Sequence, residues 1–264
     1  IEDYSTAIDK GTKNAAIYYL RGAAYQGIGD YPHVIEDCNA ALKLDPKYGA
    51  AYSMRGNAFS EIQDYQRAAD DFSAALKLDP KDAEIYYNRG FNYWIMGDTK
   101  RAIADYSAAL KLGAKEARIY YFRGAAYRDQ GDNKHAVEDL SEAIKLDPER
   151  RIAYSTRGNV YSALGDKKKA IEDYSAAIAL DASDAATFIA RGDLYFALGD
   201  NQRTIEDHSA AIKLDPKNAE AYVSRGNAYG ALGDTKRAIE DYKAGARLDH
   251  KPAQEYLTSQ GVKW

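Results

Sequence analysis

Cysteine is nearly absent: Cys38 is the only one in 264 residues, which excludes an intramolecular disulfide and a cysteine-built metal site. Proline is sparse, with six residues, four of them in Leu-Asp-Pro endings. No apolar run approaches the length of a membrane span, so insertion into a bilayer is not expected. Neither charge sign dominates, because 36 basic and 40 acidic residues are interleaved and leave a formal net charge of −4. No basic face is therefore offered to a phosphate backbone, and nucleic-acid binding is not expected. A glycine-rich phosphate loop is missing too, as is a nucleophile beside its base, so no cofactor and no catalytic residue is assigned. Phenylalanine is scarce, with six residues against 23 tyrosines.

What is abundant is repetition. The stretch from Ala219 to Pro252 lands on a near copy of itself when shifted back by 34 residues, six times over. The copies occupy 15–48, 49–82, 83–116, 117–150, 151–184, 185–218 and 219–252. Numbered 1 to 34, each has Arg at 7, Gly at 8, Asp at 16 and 23, and Leu at 30. A fixed period of this size marks stacked units, each unable to bury its apolar face alone. Apolar or small residues at 4, 8 and 11, then at 20, 24 and 27, have helical spacing on either side of a Gly-Asp punctuation. The unit is thus two antiparallel helices with a tight turn. The glycine at position 15, replaced only by Gln63, predicts a left-handed cap, and the Asp at 16 predicts the N-cap of the second helix. Facing positions are expected to pair large with small, with Tyr222 opposite Gly245 and Gly226 beside Tyr242.

Period 34, with Tyr at 4, Gly at 8, Tyr at 11, Ala at 20, usually an aromatic at 24, Ala at 27 and Pro at 32, resembles the tetratricopeptide repeat, here in an Arg-Gly variety. The resemblance spans essentially the whole chain. It departs in the Arg at position 7 and in the missing prolines at Ala114, Ala182 and His250. It implies an all-α, right-handed superhelical solenoid of antiparallel helix pairs, read as one elongated body. It also implies that the first helices line a concave groove where a peptide or protein segment binds.

Residues 1–14 supply the second helix of a further repeat, and 253–264 begin another and then depart from it as a C-terminal capping half-repeat. Ile1, Tyr4, Ala7 and Ile8 keep core spacing, which predicts an apolar end prone to self-association. The chain reads as part of a longer protein, with a reducing, cytoplasmic setting favoured by its single cysteine and its address otherwise unknown. Trp264 is expected to fold back onto the last repeat or to serve as a free docking tail.

Comparing the repeats with one another separates scaffold from variation. Positions 5, 9 and 12 vary and form one stripe on the first helix. Within it, Tyr87, Phe91 and Trp94 make an aromatic patch bordered by Asn88 and extended by Tyr121 and Arg128. Clustered aromatics beside an Arg suit a binding hot spot, though the same rings could pack on the next first helix. Asn57, Asn159 and Asn227 at position 9 match the residue with which the family can hold a peptide backbone, or else are solvated fillers; Tyr19 continues the stripe. Position 5 is never Lys, so the family's clamp for a C-terminal carboxylate is not expected. The seven Arg and seven Asp at positions 7 and 23 predict a ladder of partly buried ion pairs, with an anion-binding role as the competing reading. The four histidines have no recognisable carboxylate partner in the sequence and are read as structural or surface residues. The peptide-binding scaffold competes with a self-assembling structural solenoid and with a regulatory arm of a larger protein.

Overall fold

A computed structural model describes residues 1–264, all of the secondary structure being helical. The helices run α1 (Glu2–Asp9), α2 (Ala15–Gly27), α3 (Tyr31–Leu44), α4 (Gly49–Glu61), α5 (Tyr65–Leu78), α6 (Ala83–Ile95), α7 (Thr99–Lys111), α8 (Ala117–Gln130) and α9 (Asn133–Leu146). They continue as α10 (Arg151–Ala163), α11 (Lys167–Leu180), α12 (Ala185–Phe196), α13 (Asn201–Leu214), α14 (Ala219–Ala231), α15 (Thr235–Arg247) and α16 (Lys251–Ser259). Where one body was expected, the chain divides into two compact units, Ile1–Leu146 and Asp147–Trp264. In each, the helices pack as successive antiparallel pairs.

The turn inside each pair follows from two side-chain properties. Gly29, Gly97, Gly131, Gly165, Gly199 and Gly233 take φ between 74° and 83°, and Gln63 is forced to the same region at φ 63°. The next residue, always Asp, accepts a hydrogen bond from a backbone N–H three residues on, as Asp98 does from Arg101 at 3.0 Å. That same Asp holds the basic side chain at position 19, which lies over the aromatic ring at position 11. Arg101 sits 4.1 Å from the Tyr93 centroid, Arg203 4.4 Å from Tyr195, and His33 stacks on Tyr25 at 4.7 Å. His33 and His135 are thus members of this clasp, bound to Asp30 at 2.7 Å and Asp132 at 2.6 Å.

The invariant arginines and aspartates are partners inside one pair. Arg21–Asp37, Arg55–Asp71, Arg89–Asp105, Arg123–Asp139, Arg157–Asp173, Arg191–Asp207 and Arg225–Asp241 are bidentate, with Nη2 to Oδ1 at 2.7 to 2.8 Å. Within each unit Nη1 also reaches back to the preceding second helix. Arg89 donates to Ser73, Arg123 to Ser107, Arg191 to Ser175 and Arg225 to Ser209 at 2.9 to 3.1 Å; Arg21 donates to Ser5 and Arg55 to Asn39. These guanidinium groups are committed to packing, which leaves the anion-binding reading without support.

Gly226 lies under Tyr242 as expected: a Cβ there would be 2.9 Å from the ring. Gly245, however, is met first by Val223, not Tyr222, so position 5 leans on its own partner helix. The chain ends with α16, whose Ala253 and Leu257 cover Ala246, aided by Val262. Trp264 contributes little to this cover and is 45% exposed.

Candidate functional site

Successive first helices approach one another inside each unit, α2 with α4, α4 with α6 and α6 with α8, then α12 with α14. The variable stripe lies along this side, and its members have three different fates.

Two adjoining clefts open across α2, α4 and α6. One, of about 380 Å³, is lined by Tyr19, Gln26, Ser53 and Asn57 on the first helices and by Asp79 and Asp82 at the following turn. The other, of about 270 Å³, is lined by Asn57, Ser60, Glu61, Tyr87, Asn88 and Phe91, with Phe72 and Asn92 behind them. Gln26 and Asn57 border both, so the clefts form one trough. Asn88 Nδ2 donates to Asn57 Oδ1 at 3.4 Å, a long bond that joins α6 to α4. Tyr19, Asn57, Tyr87, Asn88 and Phe91 thereby line one trough.

The aromatic patch is not an open hot spot. Tyr87, Phe91 and Trp94 close around Phe122 of α8, with ring centroids at 5.9, 5.4 and 5.4 Å, and Tyr121 joins them at 5.1 Å. The packing alternative accounts for much of this patch. Tyr121 is buried at 8% exposure and lines neither cleft. Trp94 donates its indole N–H to Asp129 at 2.8 Å, and Arg128 holds the same carboxylate at 2.7 Å. Arg118 lies 4.4 Å from the Tyr87 centroid while paired with Glu84 and Glu116. Phe122 escaped the sequence reading because position 6, its place in the repeat, carries six other residue types.

The asparagines at position 9 also have work inside the fold. Asn159 Oδ1 accepts from the Tyr174 hydroxyl at 2.6 Å, and Asn227 Oδ1 from Tyr242 at 2.9 Å. Asn159 additionally lines a small cleft of about 110 Å³ with Ser155, Asp184 and Thr187. Asn227 is exposed. In the sixth repeat the same two positions hold Asp193 and the fully buried His208, 3.3 Å apart. His250 Nε2 meets Glu220 at 3.1 Å. Every histidine therefore faces a carboxylate: Asp30 and Asp132 stand three residues earlier at the turn, whereas Asp193 and Glu220 lie on other helices, Asp193 close to His208 without hydrogen-bonding it.

In the third repeat Phe91 replaces the position-9 asparagine, and the Tyr106 hydroxyl is left buried with no partner. Burial, with Tyr87 and Asp105 nearby, holds its pKa far above the ordinary phenol range. Asn92 Oδ1 is likewise buried and unpaired, although its Nδ2 donates to Asn88 O at 2.8 Å. Cys38 is buried, which pushes its thiol up to about 12.

Known proteins show the same construction. A family model described as TPR repeat matches residues 56–97, 124–165, 158–199 and 192–233, and models described as tetratricopeptide repeat match 15–48, 83–114 and 219–252. The chain belongs to the tetratricopeptide repeat family. Proteins of this family are generally non-catalytic interaction scaffolds. Among solved structures it resembles MamA, at 28% identity over 62% of this tetratricopeptide repeat chain and 96% of that one, with a TM-score of 0.59. It resembles YrrB, described as a TPR protein with an unusual peptide-binding site, at 23% identity over 70% and 95% of the two chains and a TM-score of 0.61. A tetratricopeptide repeat protein from Parabacteroides merdae aligns over 92% and 97% at 22% identity and a TM-score of 0.66. These last two likenesses establish the fold. No curated protein matches.

Proposed function

We propose that this tetratricopeptide repeat chain is a non-catalytic scaffold whose first-helix trough in Ile1–Leu146 receives an extended peptide segment. One observation carries the reading: two clefts sharing Gln26 and Asn57 form a trough across three successive first helices, walled by amide and hydroxyl groups. Amide side chains spaced along a groove suit the alternating N–H and C=O groups of an extended backbone. Tyr19, Tyr87 and Phe91 add apolar wall, Asn88 braces it, and Trp94, Tyr121 and Arg128 support the far side from within the packing. Asn159 and Asn227 offer related, smaller polar positions in Asp147–Trp264. YrrB, with its peptide-binding site, gives a precedent in the family.

Selection of peptides from a random displayed library, followed by titration against wild type and Gln26→Ala/Asn57→Ala, tests this. Enriched peptides should lose affinity in the double variant while its helical circular dichroism stays unchanged. Peptides that bind both proteins equally would place the interaction elsewhere.

A second reading rests on α1, which carries no fully buried residue and leaves Ile1 41% exposed. Association of two copies through this face would show as a mass that rises with concentration in light scattering and falls on Ile1→Glu/Ile8→Glu substitution. A mass that stays monomeric throughout would remove it.

A further inference from the structure

The trough has a sign and an unfilled acceptor. The charged side chains lining its two clefts are Asp79 and Asp82 in one and Glu61 in the other; no Lys or Arg lines either. At the back of the second cleft stands Asn92, 1% exposed, whose Oδ1 has no hydrogen-bond partner. The other repeats carry Ala24, Ala58, Ala126, Val160, Leu194 and Ala228 at this place, so the packing of a first helix does not call for an amide there. A buried acceptor left unmade costs stability, and an apolar residue would avoid that cost. Around Asn92 the cleft presents the rings of Tyr87 and Phe91, the amides of Gln26, Asn57 and Asn88, the Ser60 hydroxyl and the Glu61 carboxylate.

We infer that this second cleft receives the basic side chain of an extended peptide, with Asn92 Oδ1 as its buried acceptor, Glu61 as its counter-charge and Tyr87 and Phe91 flanking the cation. The inference rests on the trough reading above and names the chemistry of its ligand. A guanidinium or ammonium group brings donors and no acceptors, which matches a lone unpaired oxygen beside a carboxylate. Aromatic faces attract a cation through the ring quadrupole. Arg118, over the Tyr87 ring, does not oppose such a ligand, because it is held by Glu84 and Glu116. In the first cleft Asp79 and Asp82 give a second anionic position further along the same peptide. Their oxygens accept from the backbone N–H groups of Lys81 and of Glu84 and Ile85, and a carboxylate retains capacity for more.

The probes are fluorescein-labelled Ser/Gly decapeptides with two Arg residues four apart, and counterparts with Lys, Glu or Leu at those places, titrated by fluorescence anisotropy at low and at physiological salt. Arg and Lys peptides should bind and weaken with salt, while Glu and Leu peptides should bind at least about tenfold more weakly. Asn92→Ala and Glu61→Gln should each weaken the basic peptides about tenfold or more, the equivalent of one hydrogen bond to a charged group. Asn92→Ala should at the same time raise the thermal midpoint, which separates loss of a ligand contact from loss of fold. If Leu or Glu peptides bind as well as Arg peptides and still depend on Gln26 and Asn57, the trough reading stands and the basic-ligand inference is wrong. If basic peptides bind and Asn92→Ala leaves them unaffected, the buried acceptor has no part in it. If none of the peptides binds and displayed libraries yield nothing sensitive to Gln26→Ala/Asn57→Ala, both fall together.

Discussion

The Tyr174 hydroxyl donates to Asn159 Oδ1 across the turn of its own helix pair, and in the third repeat the corresponding places hold Tyr106 and Phe91, which cannot make that bond. Two tyrosines in the same architectural position thus differ in whether their oxygen has a partner. Tyr106→Phe is expected to be stabilising by about 1 kcal/mol, since it removes an unsatisfied buried hydroxyl, whereas Tyr174→Phe should cost about 1 kcal/mol. Denaturant midpoints of the two variants against wild type read the difference, and shifts of the same sign in both would refute it.

Among the turns inside the helix pairs, Gln63 is the one residue that enters the left-handed region without being glycine; Asp249 does so after α15. An L side chain there carries a penalty of roughly 1 kcal/mol, so Gln63→Gly should raise the thermal midpoint. An unchanged midpoint would mean that Gln63 is compensated by contacts of its side chain.

Gly158 is required for the opposite reason. Its missing Cβ would stand 2.8 Å from the Tyr174 ring, so Gly158→Ala forces the ring aside and should cost about 1 to 3 kcal/mol. Gly27→Ala, where nothing lies within 4 Å, is the control and should be neutral or stabilising. Equal losses in the two variants would argue against the close approach.

Asp105 is 8% exposed and its partner Arg89 19%. Asp105→Ala leaves a guanidinium without its carboxylate and should cost about 3 kcal/mol, the lower end for a buried pair because the arginine keeps some solvent. Arg89→Leu/Asp105→Leu should cost less than the single change. A double-mutant cycle with no coupling between the two positions would contradict the pairing.

Alkaline pH should destabilise the fold through Cys38 and Tyr174. Burial raises both to about 12 in the folded protein, from ordinary values of 9.0 and 10.0. A raised acid holds its proton longer when folded, so its contribution is complete below the ordinary value and is lost as pH climbs towards the folded one. Thermal midpoints should therefore fall between about pH 9 and 12. Cys38→Ala should flatten the start of that fall, and Tyr174→Phe the later part. A thiol reagent at pH 8 should label Cys38 only after unfolding.

The fold was legible because its determinants are local and recur. Glycine at position 15 in all repeats but the second, Asp at 16 and the small-large pairs between helices are visible repeat by repeat, and the structure places them as expected, with Val223 taking the place at Gly245 assigned to Tyr222. The surface was less legible. Variation at positions 5 and 9 reads as freedom to bind, yet part of it answers the partner helix: Asn159 and Asn227 accompany tyrosines, and Asp193 accompanies His208. Phe122 shows the same limit, since a ring that organises five others lies one repeat beyond the patch it closes. Asn92 was not singled out in the sequence, and only burial shows that its oxygen is unmet.

Inside each unit the arginine at position 7 donates Nη1 to the second helix of the preceding pair, as from Arg89 to Ser73 and from Arg225 to Ser209. Each such hand points towards the N-terminus, so trimming pairs from the C-terminal side leaves every remaining guanidinium still held. Trimming from the N-terminal side takes away an acceptor at each cut. Shortened versions of one length should differ in ruggedness according to which end was shaved, a polarity that a periodic body would not otherwise possess.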